Sequence, residues 1–161
     1  MSLTIKREVI LRAVVTDQLK KELTEELQAA AAELDQRIGQ IDLSTRAYIT
    51  NLQRADLQQA MAVRKRVDAE KARHQELRDA IMERMKQVEV LDNGTEVIRG
   101  TVESFVDVKV GDDLAMLLNG TEVVVKDGVV TEIRQRRPEA QKDEKPVLEI
   151  VTELPSSGQN A

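Results

Sequence analysis

The sequence predicts an α+β protein, in which a long antiparallel helical hairpin of the coiled-coil type is attached to a small antiparallel β module that includes an N-terminal strand. Apolar residues recur at alternating spacings of four and three through the first half of the chain, which keeps one helical stripe against a partner helix. From Val97 onward the period becomes two and is broken by Asn-Gly and Asp-Gly, as is typical of strands and tight turns. Residues 3–15 are rich in β-branched and aliphatic side chains and predict a strand before the helices.

Composition limits the functions that this chain can have. Its 161 residues include one Tyr, one Phe and no Trp, whereas aromatic side chains supply much of the buried area in compact cores and ligand pockets. The formal net charge of −5 disfavours attraction of the whole protein to nucleic acid or to an anionic membrane. The chain has no cysteine for a disulfide or a thiolate metal site, and no apolar stretch of the roughly twenty residues that span a bilayer. We expect a cytoplasmic protein that makes no membrane contact.

A two-helix coiled-coil arm is predicted over residues 17–91. Thr16 or Asp17 caps its first helix, because a side-chain oxygen there can accept hydrogen bonds from the free amides of the first turn. The predicted seam consists of two apolar series, one on each helix. The first series comprises Leu27, Leu34, Ile38, Ile41, Tyr48 and Leu52, and the second comprises Val63, Val67, Leu77, Ile81 and Val88.

The two series differ in register by one residue, which predicts that the chain reverses near residues 54–57. One continuous helix would instead place Gln59, Arg66 and Arg73 in the seam, where polar side chains are unfavourable. Asp56 and Gln59 resemble a capping box that opens a second helix. The alternative is one long helix in a parallel dimer, because no Gly or Pro marks the turn. The seam chemistry suits pairing within one chain and pairing across a dimer equally.

The β module is predicted to combine residues 1–16 with residues 92–134. Asp92-Asn93-Gly94 is a helix stop, and alternating runs follow it as far as Val110. An Asp of the Asp112-Asp113 pair is expected to cap a short helix, and Asp127-Gly128 predicts a two-residue hairpin between two later strands.

Residues 135–161 are predicted to form a flexible tail, because the composition after Arg134 resembles that of a linker. The tail contains one apolar run, Val147–Leu154. A short apolar run of this kind can add a strand to a sheet edge. Two alternatives remain open for it, an edge of its own domain and an edge of a partner.

No catalytic, cofactor-binding or metal-binding constellation is evident in the sequence. His74 is the only histidine, and its place in the second seam favours packing over catalysis. Asp112 and Asp113 are the best carboxylate pair, but adjacent turn residues diverge and an Asp before a helix is usually a cap. We therefore expect a protein that is not an enzyme and that has no cofactor, no metal and no small-molecule substrate.

One basic patch on the second helix is dense enough to contact phosphate groups. Nucleic-acid binding usually also needs aromatic side chains for stacking or a module that reads a groove, and neither is evident. Neighbouring acids at Asp68 and Glu70 dilute the charge. The patch consists of Arg64, Lys65, Arg66, Lys71 and Arg73.

Three stretches of the C-terminal half are similar to a known family. They are Gly-Thr-Val-Glu-Ser from Gly100, Val-Lys-Val-Gly-Asp-Asp-Leu from Val108, and Glu-Val-Val-Val-Lys-Asp-Gly-Val-Val-Thr-Glu-Ile from Glu122. With the order of strand, charged helical segment and hairpin, they resemble the YlqD-like family of uncharacterised proteins from Gram-positive bacteria and cyanobacteria. The resemblance covers residues 3–134, implies no known activity and assigns no catalytic residue. In some Gram-positive genomes, members of this family lie among genes for ribosome and RNA maturation.

Two functional hypotheses follow from these observations. The first is a non-enzymatic interaction or scaffold protein, in which the arm presents a surface or dimerises and the β module docks a protein partner. The second is an RNA- or ribosome-associated factor that uses the basic patch on the arm.

Overall fold

The fold is α+β, as predicted, with two long helices and a four-stranded sheet. The computed structural model describes residues 1–136 and 147–155. In chain order the elements are β1 (Ser2–Val14), α1 (Asp17–Ala55), α2 (Leu57–Glu89), β2 (Glu96–Lys109), α3 (Leu114–Asn119), β3 (Thr121–Lys126) and β4 (Val129–Gln135).

The chain forms two compact units. The β unit contains Met1–Glu22 and Val90–Val151, and therefore holds the whole sheet together with the first residues of α1. The helical unit contains Leu23–Glu89 and the chain from Thr152 onward.

The sheet has the strand order β2-β1-β3-β4 and is mixed, which corrects the prediction of an antiparallel module. β1 pairs with β2 in antiparallel orientation, whereas β3 lies on the other side of β1 and runs parallel to it over Ile10–Ala13. The physical reason is that α3 carries the chain from β2 past β1, so that β3 returns in the direction opposite to β2. β4 then pairs antiparallel with β3 across the turn at Asp127 and Gly128. Both turn residues have positive φ, as the predicted two-residue hairpin requires.

The core of the β unit surrounds the C-terminal half of β1. Val9, Ala13 and Val15 are buried there with Val97 of β2 and Val124 of β3. A β-bulge between Leu11 and Arg12 shifts the register with β2. After this bulge, Arg12 lies opposite Ile98 and beside Val124 of β3, so that a charged side chain lies within the core region.

A buried ion pair joins the central strand to β3. Arg12 Nη2 donates to Glu122 Oε1 at 3.1 Å, and the Glu122 side chain is fully buried. Arg12 Nη1 also lies 3.6 Å from Glu96 Oε2 on β2. Two buried charges are costly to desolvate, and their attraction offsets this cost only when the geometry keeps them paired. The pair therefore makes the register of β1, β2 and β3 strongly interdependent.

Side-chain caps mark where the helices begin. Thr16 Oγ1 accepts from Leu19 N at 3.1 Å at the start of α1. Asp56 separates the two long helices, and its Oδ1 accepts from Gln59 N at 3.2 Å. The helical break therefore lies within residues 54–57, where the shift in apolar register predicts it. Asp113 caps α3 by accepting from Met116 N.

Two ion pairs join the long helices within the helical unit. Lys71 Nζ lies 2.6 Å from Asp42 Oδ1, and Arg78 Nε lies 2.7 Å from Asp35 Oδ1. Arg78 lies seven residues after Lys71 on α2, whereas its partner Asp35 lies seven residues before Asp42 on α1. The pairs therefore follow opposite orders along the two helices.

Part of the predicted tail docks on the sheet. Glu149 forms a parallel bridge with Ile98 of β2, with hydrogen bonds from Ile98 N to Leu148 O and from Ile150 N to Ile98 O. The Ile150 side chain is almost fully buried. This geometry favours the alternative in which the apolar run adds to its own domain. The rest of the tail prediction concerns 137–146 and 156–161, which lie outside the described residues.

We predict that Glu122→Ala lowers the free energy of unfolding by about 3–5 kcal/mol, because it removes a carboxylate that pairs with the buried Arg12 guanidinium. Urea unfolding followed by circular dichroism measures the change. Glu83→Ala is the control, since Glu83 forms an exposed ion pair with Lys86 on α2, and such pairs contribute about 0–1 kcal/mol. The double variant Arg12→Met/Glu122→Leu should recover most of the loss. Equal effects of Glu122→Ala and Glu83→Ala would contradict the prediction.

Candidate interaction surface

Burial of the predicted seam residues falls towards the helical break. Four of them are buried, five are partly exposed, and Tyr48 and Leu77 are exposed. The buried residues are Leu27, Leu34, Ile81 and Val88, and the partly exposed ones are Ile38, Ile41, Leu52, Val63 and Val67.

The structure departs from the predicted seam at Tyr48 and Leu77. The Tyr48 side chain is 56% exposed, and its neighbour Ile49 is partly buried instead. A straight α-helix drifts by about 20° per heptad relative to a strict seven-residue repeat. The side chain that faces the other helix is therefore Ile49 and not Tyr48. On α2, the partly buried Arg78, which pairs with Asp35, follows the exposed Leu77.

The segment between residues 41 and 71, which surrounds the break, exposes large apolar side chains. Leu43, Tyr48, Leu57 and Met61 are all more than half exposed. Within this segment only the small Ala60 is buried. Leu57 and Met61 lie one helical turn apart on α2 and share a face, and adjoining exposed apolar residues often mark an interaction site. The 41–71 segment is therefore the candidate interaction surface of the helical unit.

A cleft of about 340 Å³ lies between the two helices in this segment. Asp42, Arg46 and Ile49 line it from α1, and Arg64 and Lys71 are among the residues that line it from α2. The cleft exists because Thr45, Val67 and charged residues occupy positions where a tight seam would have large aliphatic side chains. Its walls carry both signs of charge, since Lys71 is paired with Asp42. The cleft suits a polar or mixed-charge group of a partner.

The structure brings only part of the predicted basic patch together. Arg64 and Lys71 line the cleft, whereas Lys65, Arg66 and Arg73 are exposed and do not line it. Successive helical residues point about 100° apart, so Arg64, Lys65 and Arg66 cannot share one face.

Arg46 is a cleft residue that the sequence alone does not identify. It lies on α1, beside the cleft that Arg64 lines from α2. No local pattern could have identified it, because its position depends on how the two helices are aligned. Together the two arginines give the cleft a basic component from each helix.

The groups with the best potential for acid–base chemistry are engaged in local structure. Asp112 Oδ2 accepts from Lys109 N at 2.8 Å, and Asp113 caps α3. His74 Nδ1 lies 2.9 Å from Glu70 O, one helical turn away. Within residues 1–136 and 147–155, no three His, Asp or Glu side chains are grouped as a metal site would require. Across the same residues, no helix has both the length and the apolar character needed to cross a membrane.

A second ionic cluster lies in the β unit, centred on Arg134 of β4. Arg134 donates to both carboxylate oxygens of Glu96, at 2.8 Å and 2.5 Å, and to Glu132 Oε2 at 2.9 Å. These hydrogen bonds are the main reason that the pKa of Glu96 lies below its ordinary value of 4.5, and the positive charges of Arg134, Arg12 and Arg136 add to this effect. The pKa of Glu132 is lowered and that of Arg134 is raised by the same hydrogen bonds.

Comparison with known proteins shows the family of this chain and its similarity to a solved structure. The family model described as YlqD protein matches residues 3–134, which confirms the resemblance seen in the sequence. A crystal structure of a protein of unknown function from Synechococcus sp. WH 8102 has a similar fold, with a TM-score of 0.75 and 27% sequence identity. The match covers 84% of this chain and 96% of that chain. No match was found among curated proteins.

We predict that the stabilisation provided by Arg134 depends on pH. The pKa of Glu96 is lower in the folded chain than its ordinary value of 4.5, so the ionised carboxylate favours folding. The stabilisation is complete above the ordinary value and is lost as the pH falls through the folded pKa. Arg134→Gln should lower the free energy of unfolding by about 1–3 kcal/mol at pH 7, and this difference should shrink in acid.

Urea unfolding at a series of pH values between 7 and 3 measures this dependence. Arg54→Gln is the control, because Arg54 is exposed on α1 and lies outside the cluster. The prediction would be contradicted if the free energies of unfolding of Arg134→Gln and of the unchanged chain differed by the same amount at every pH.

Proposed function

The chain belongs to the YlqD family, and from this premise we propose that it is a non-enzymatic interaction protein. In this proposal α1 and α2 form an antiparallel coiled-coil hairpin that presents a binding surface, and the β unit docks a protein partner. The exposed apolar side chains around the helical break are the single observation that carries the proposal. The relative from Synechococcus is itself described only as a protein of unknown function and adds no activity.

The hairpin is supported by how the helical segment leaves and rejoins the β unit. Val15 N donates to Thr95 O at 2.7 Å, and Gly94 N donates to Val15 O at 2.8 Å. The chain therefore returns beside the point where it departs, although α1 has 39 residues and α2 has 33. Because the start of α1 lies beside the end of α2 and the two helices have similar lengths, the chain has to reverse its direction near the junction between them. The opposite order of the two interhelical ion pairs agrees with this arrangement.

The binding role of the 41–71 segment is supported by the contrast with the rest of the arm. Leu23, Leu27 and Leu34 of α1 are fully or almost fully buried, so these positions contribute to stability. Leu43, Tyr48, Leu57 and Met61 leave large apolar surfaces in water, where they add nothing to the core. Tyr and Arg are enriched among the residues that dominate binding energies at protein interfaces. Tyr48, Arg46 and Arg64 provide this combination.

A capture experiment with matched variants tests the proposed surface. The full chain, Tyr48→Ala/Met61→Ala and Met82→Ala are tagged and used to capture proteins from the native host, and the retained proteins are quantified. We expect a defined protein to bind the unchanged chain and Met82→Ala, and to lose most of its occupancy with the double variant. Truncation of interface hot spots typically costs about 2 kcal/mol or more each, which is roughly a thirtyfold loss of affinity.

Met82→Ala is a suitable control because Met82 is an exposed methionine on the same helix, outside the 41–71 segment. Circular dichroism before capture establishes that all three chains are equally helical. Retention of the same proteins by the double variant would contradict the proposed surface. Equal losses with Met82→Ala would also contradict it.

A second candidate function, an RNA- or ribosome-associated factor, is favoured by one observation. Arg46 and Arg64 line the same cleft from different helices. The net charge of the chain is −5, so phosphate binding would have to be local to this segment. Affinity that depends on phosphate contacts falls steeply with salt because bound counterions are released.

The salt dependence of RNA affinity tests this candidate. If Arg46 and Arg64 contact phosphates, Arg46→Glu/Arg64→Glu should weaken binding and reduce the slope of log K against log salt by about 2. Lys21→Glu/Lys86→Glu carries the same change of net charge outside the 41–71 segment and should leave the slope unchanged. RNA affinity that is insensitive to salt, or equal in both double variants, would contradict the candidate.

A further inference from the structure

The paired strands β1 and β2 extend well beyond the rest of the sheet. They pair from Ser2 opposite Lys109 onward, whereas β3 joins β1 only over Ile10–Ala13. The segment between Ser2 and Val9, with the facing part of β2, is thus a two-stranded ribbon. One support is visible, because Arg7 Nη1 donates to Leu117 O of α3 at 3.0 Å and to Thr121 Oγ1 at 2.9 Å. Two-stranded ribbons are only marginally stable in water without a packed face.

This ribbon exposes apolar side chains that the β unit does not cover. Leu3 of β1 is 66% exposed and Phe105 of β2 is 71% exposed. Val102 is also exposed, and Val106 and Val108 are partly exposed. Val102, Val106 and Val108 share one face of β2, since side chains two residues apart point the same way. The outer edge of β2 is therefore flanked by exposed apolar side chains that would contact the side chains of an added strand.

The described residues engage the outer edge of β2 at its two ends and leave its middle open. β2 is the edge strand of the sheet, and the segment from Leu148 to Ile150 bonds to it at Ile98. At the other end, Asp112 N donates to Lys109 O and Asp112 Oδ2 accepts from Lys109 N. The register of β2 with β1 shows no shift between Thr101 and Lys109, so this part of the edge is regular. A regular, partly apolar strand edge without a neighbour is a template for pairing with another chain.

The charge pattern of β2 is complementary to a second copy of itself. When two identical strands pair antiparallel in a continuous sheet, opposite residues share a face. The two-fold axis then passes between the two copies of one residue, which lie opposite each other. An axis at Val106 places the Glu103 side chain opposite that of Lys109 of the second copy, twice, with Ser104 opposite Val108 and Phe105 opposite Asp107. An axis at Phe105 would oppose Glu103 to Asp107, and an axis at Asp107 would oppose two Asp107 side chains. An axis at Val108 would also oppose Asp107 to Lys109, but it would pair only these three residues of each strand, because β2 ends at Lys109. Unlike charges directly opposite stabilise a sheet and like charges destabilise it.

We propose that the chain forms a homodimer through antiparallel pairing of the β2 edges about a two-fold axis at Val106, which joins two sheets into one of eight strands. Glu103 then lies between Lys6 of its own chain, at 2.7 Å, and Lys109 of the second copy. The ribbon gains neighbours on its open edge. This inference does not depend on the helical binding surface of the proposed function, since it concerns only the β unit.

The other edge strand of the sheet, β4, is less suitable for self-pairing. β4 is short, and a register shift with β3 between Val124 and Val125 interrupts its regularity. Bulges of this kind protect edge strands from association. The Arg134 side chain on this strand is held by Glu96 and Glu132. The observations therefore favour β2 over β4.

A charge-reversal series tests the dimer in solution. Sedimentation equilibrium of the full chain should give a dimer, and Lys109→Glu should raise its dissociation constant by about tenfold or more, because Glu103 would face Glu at both symmetric positions. The double variant Glu103→Lys/Lys109→Glu restores opposite charges and should recover the dimer. Lys126→Glu makes the same charge change at the end of β3, away from the edge, and should have no effect.

Single cysteines test the register, because the chain has none of its own. Val106→Cys should form an intermolecular disulfide under mild oxidation, since the two copies of residue 106 lie opposite each other across the axis. Ser104→Cys and Val108→Cys lie on the same face but should each crosslink poorly alone, whereas the double variant should crosslink efficiently. A chain that is monomeric at all concentrations would overturn the proposal. A dimer that ignores Lys109→Glu, or crosslinks equally at 104 and 106, would overturn it as well.

Discussion

The structure depends on the pairing of one N-terminal strand with segments far along the chain. β1 binds β2 on one side and β3 on the other, and Arg12 on this strand is held by the buried Glu122. The ion pair connects residues that are 110 positions apart in sequence. Because separating two buried charges is costly, small shifts of either neighbouring strand are strongly disfavoured. The β unit is thus fixed by a polar interaction at its centre and by aliphatic packing around it.

The same constraint governs the helical segment. Hydrogen bonds between Val15, Gly94 and Thr95 fix the two ends of this segment beside each other, so α1 and α2 are an insertion between adjacent strands. The polar and exposed apolar residues between 41 and 71 belong to the helical unit and take no part in the packing of the β unit.

Local patterns in the sequence determined much of what could be predicted. The α+β class, the caps at Thr16, Asp56 and Asp113, and the hairpin at Asp127-Gly128 follow from short-range chemistry, which a single sequence displays directly. The parallel pairing of β1 with β3 could not be predicted, because it depends on which side of β1 the chain passes after α3. Arg12 and Glu122 also escaped prediction, since isolated charges in an alternating strand are typical of a solvent-facing side. Their burial depends on a long-range register, as does the position of Arg46 beside Arg64.

The placement of β1 has a consequence for how the chain folds during synthesis. The residues that form the central strand are made before both of their partners, and β3 follows more than a hundred residues later. The helices consist of local contacts and can form as they emerge, whereas β1 must wait with both edges open. Non-local strand pairing of this kind is slow, and open strand edges favour aggregation. Because the long helical insertion separates β1 from β2 in sequence, β1 stays without its partners until the whole insertion has been made.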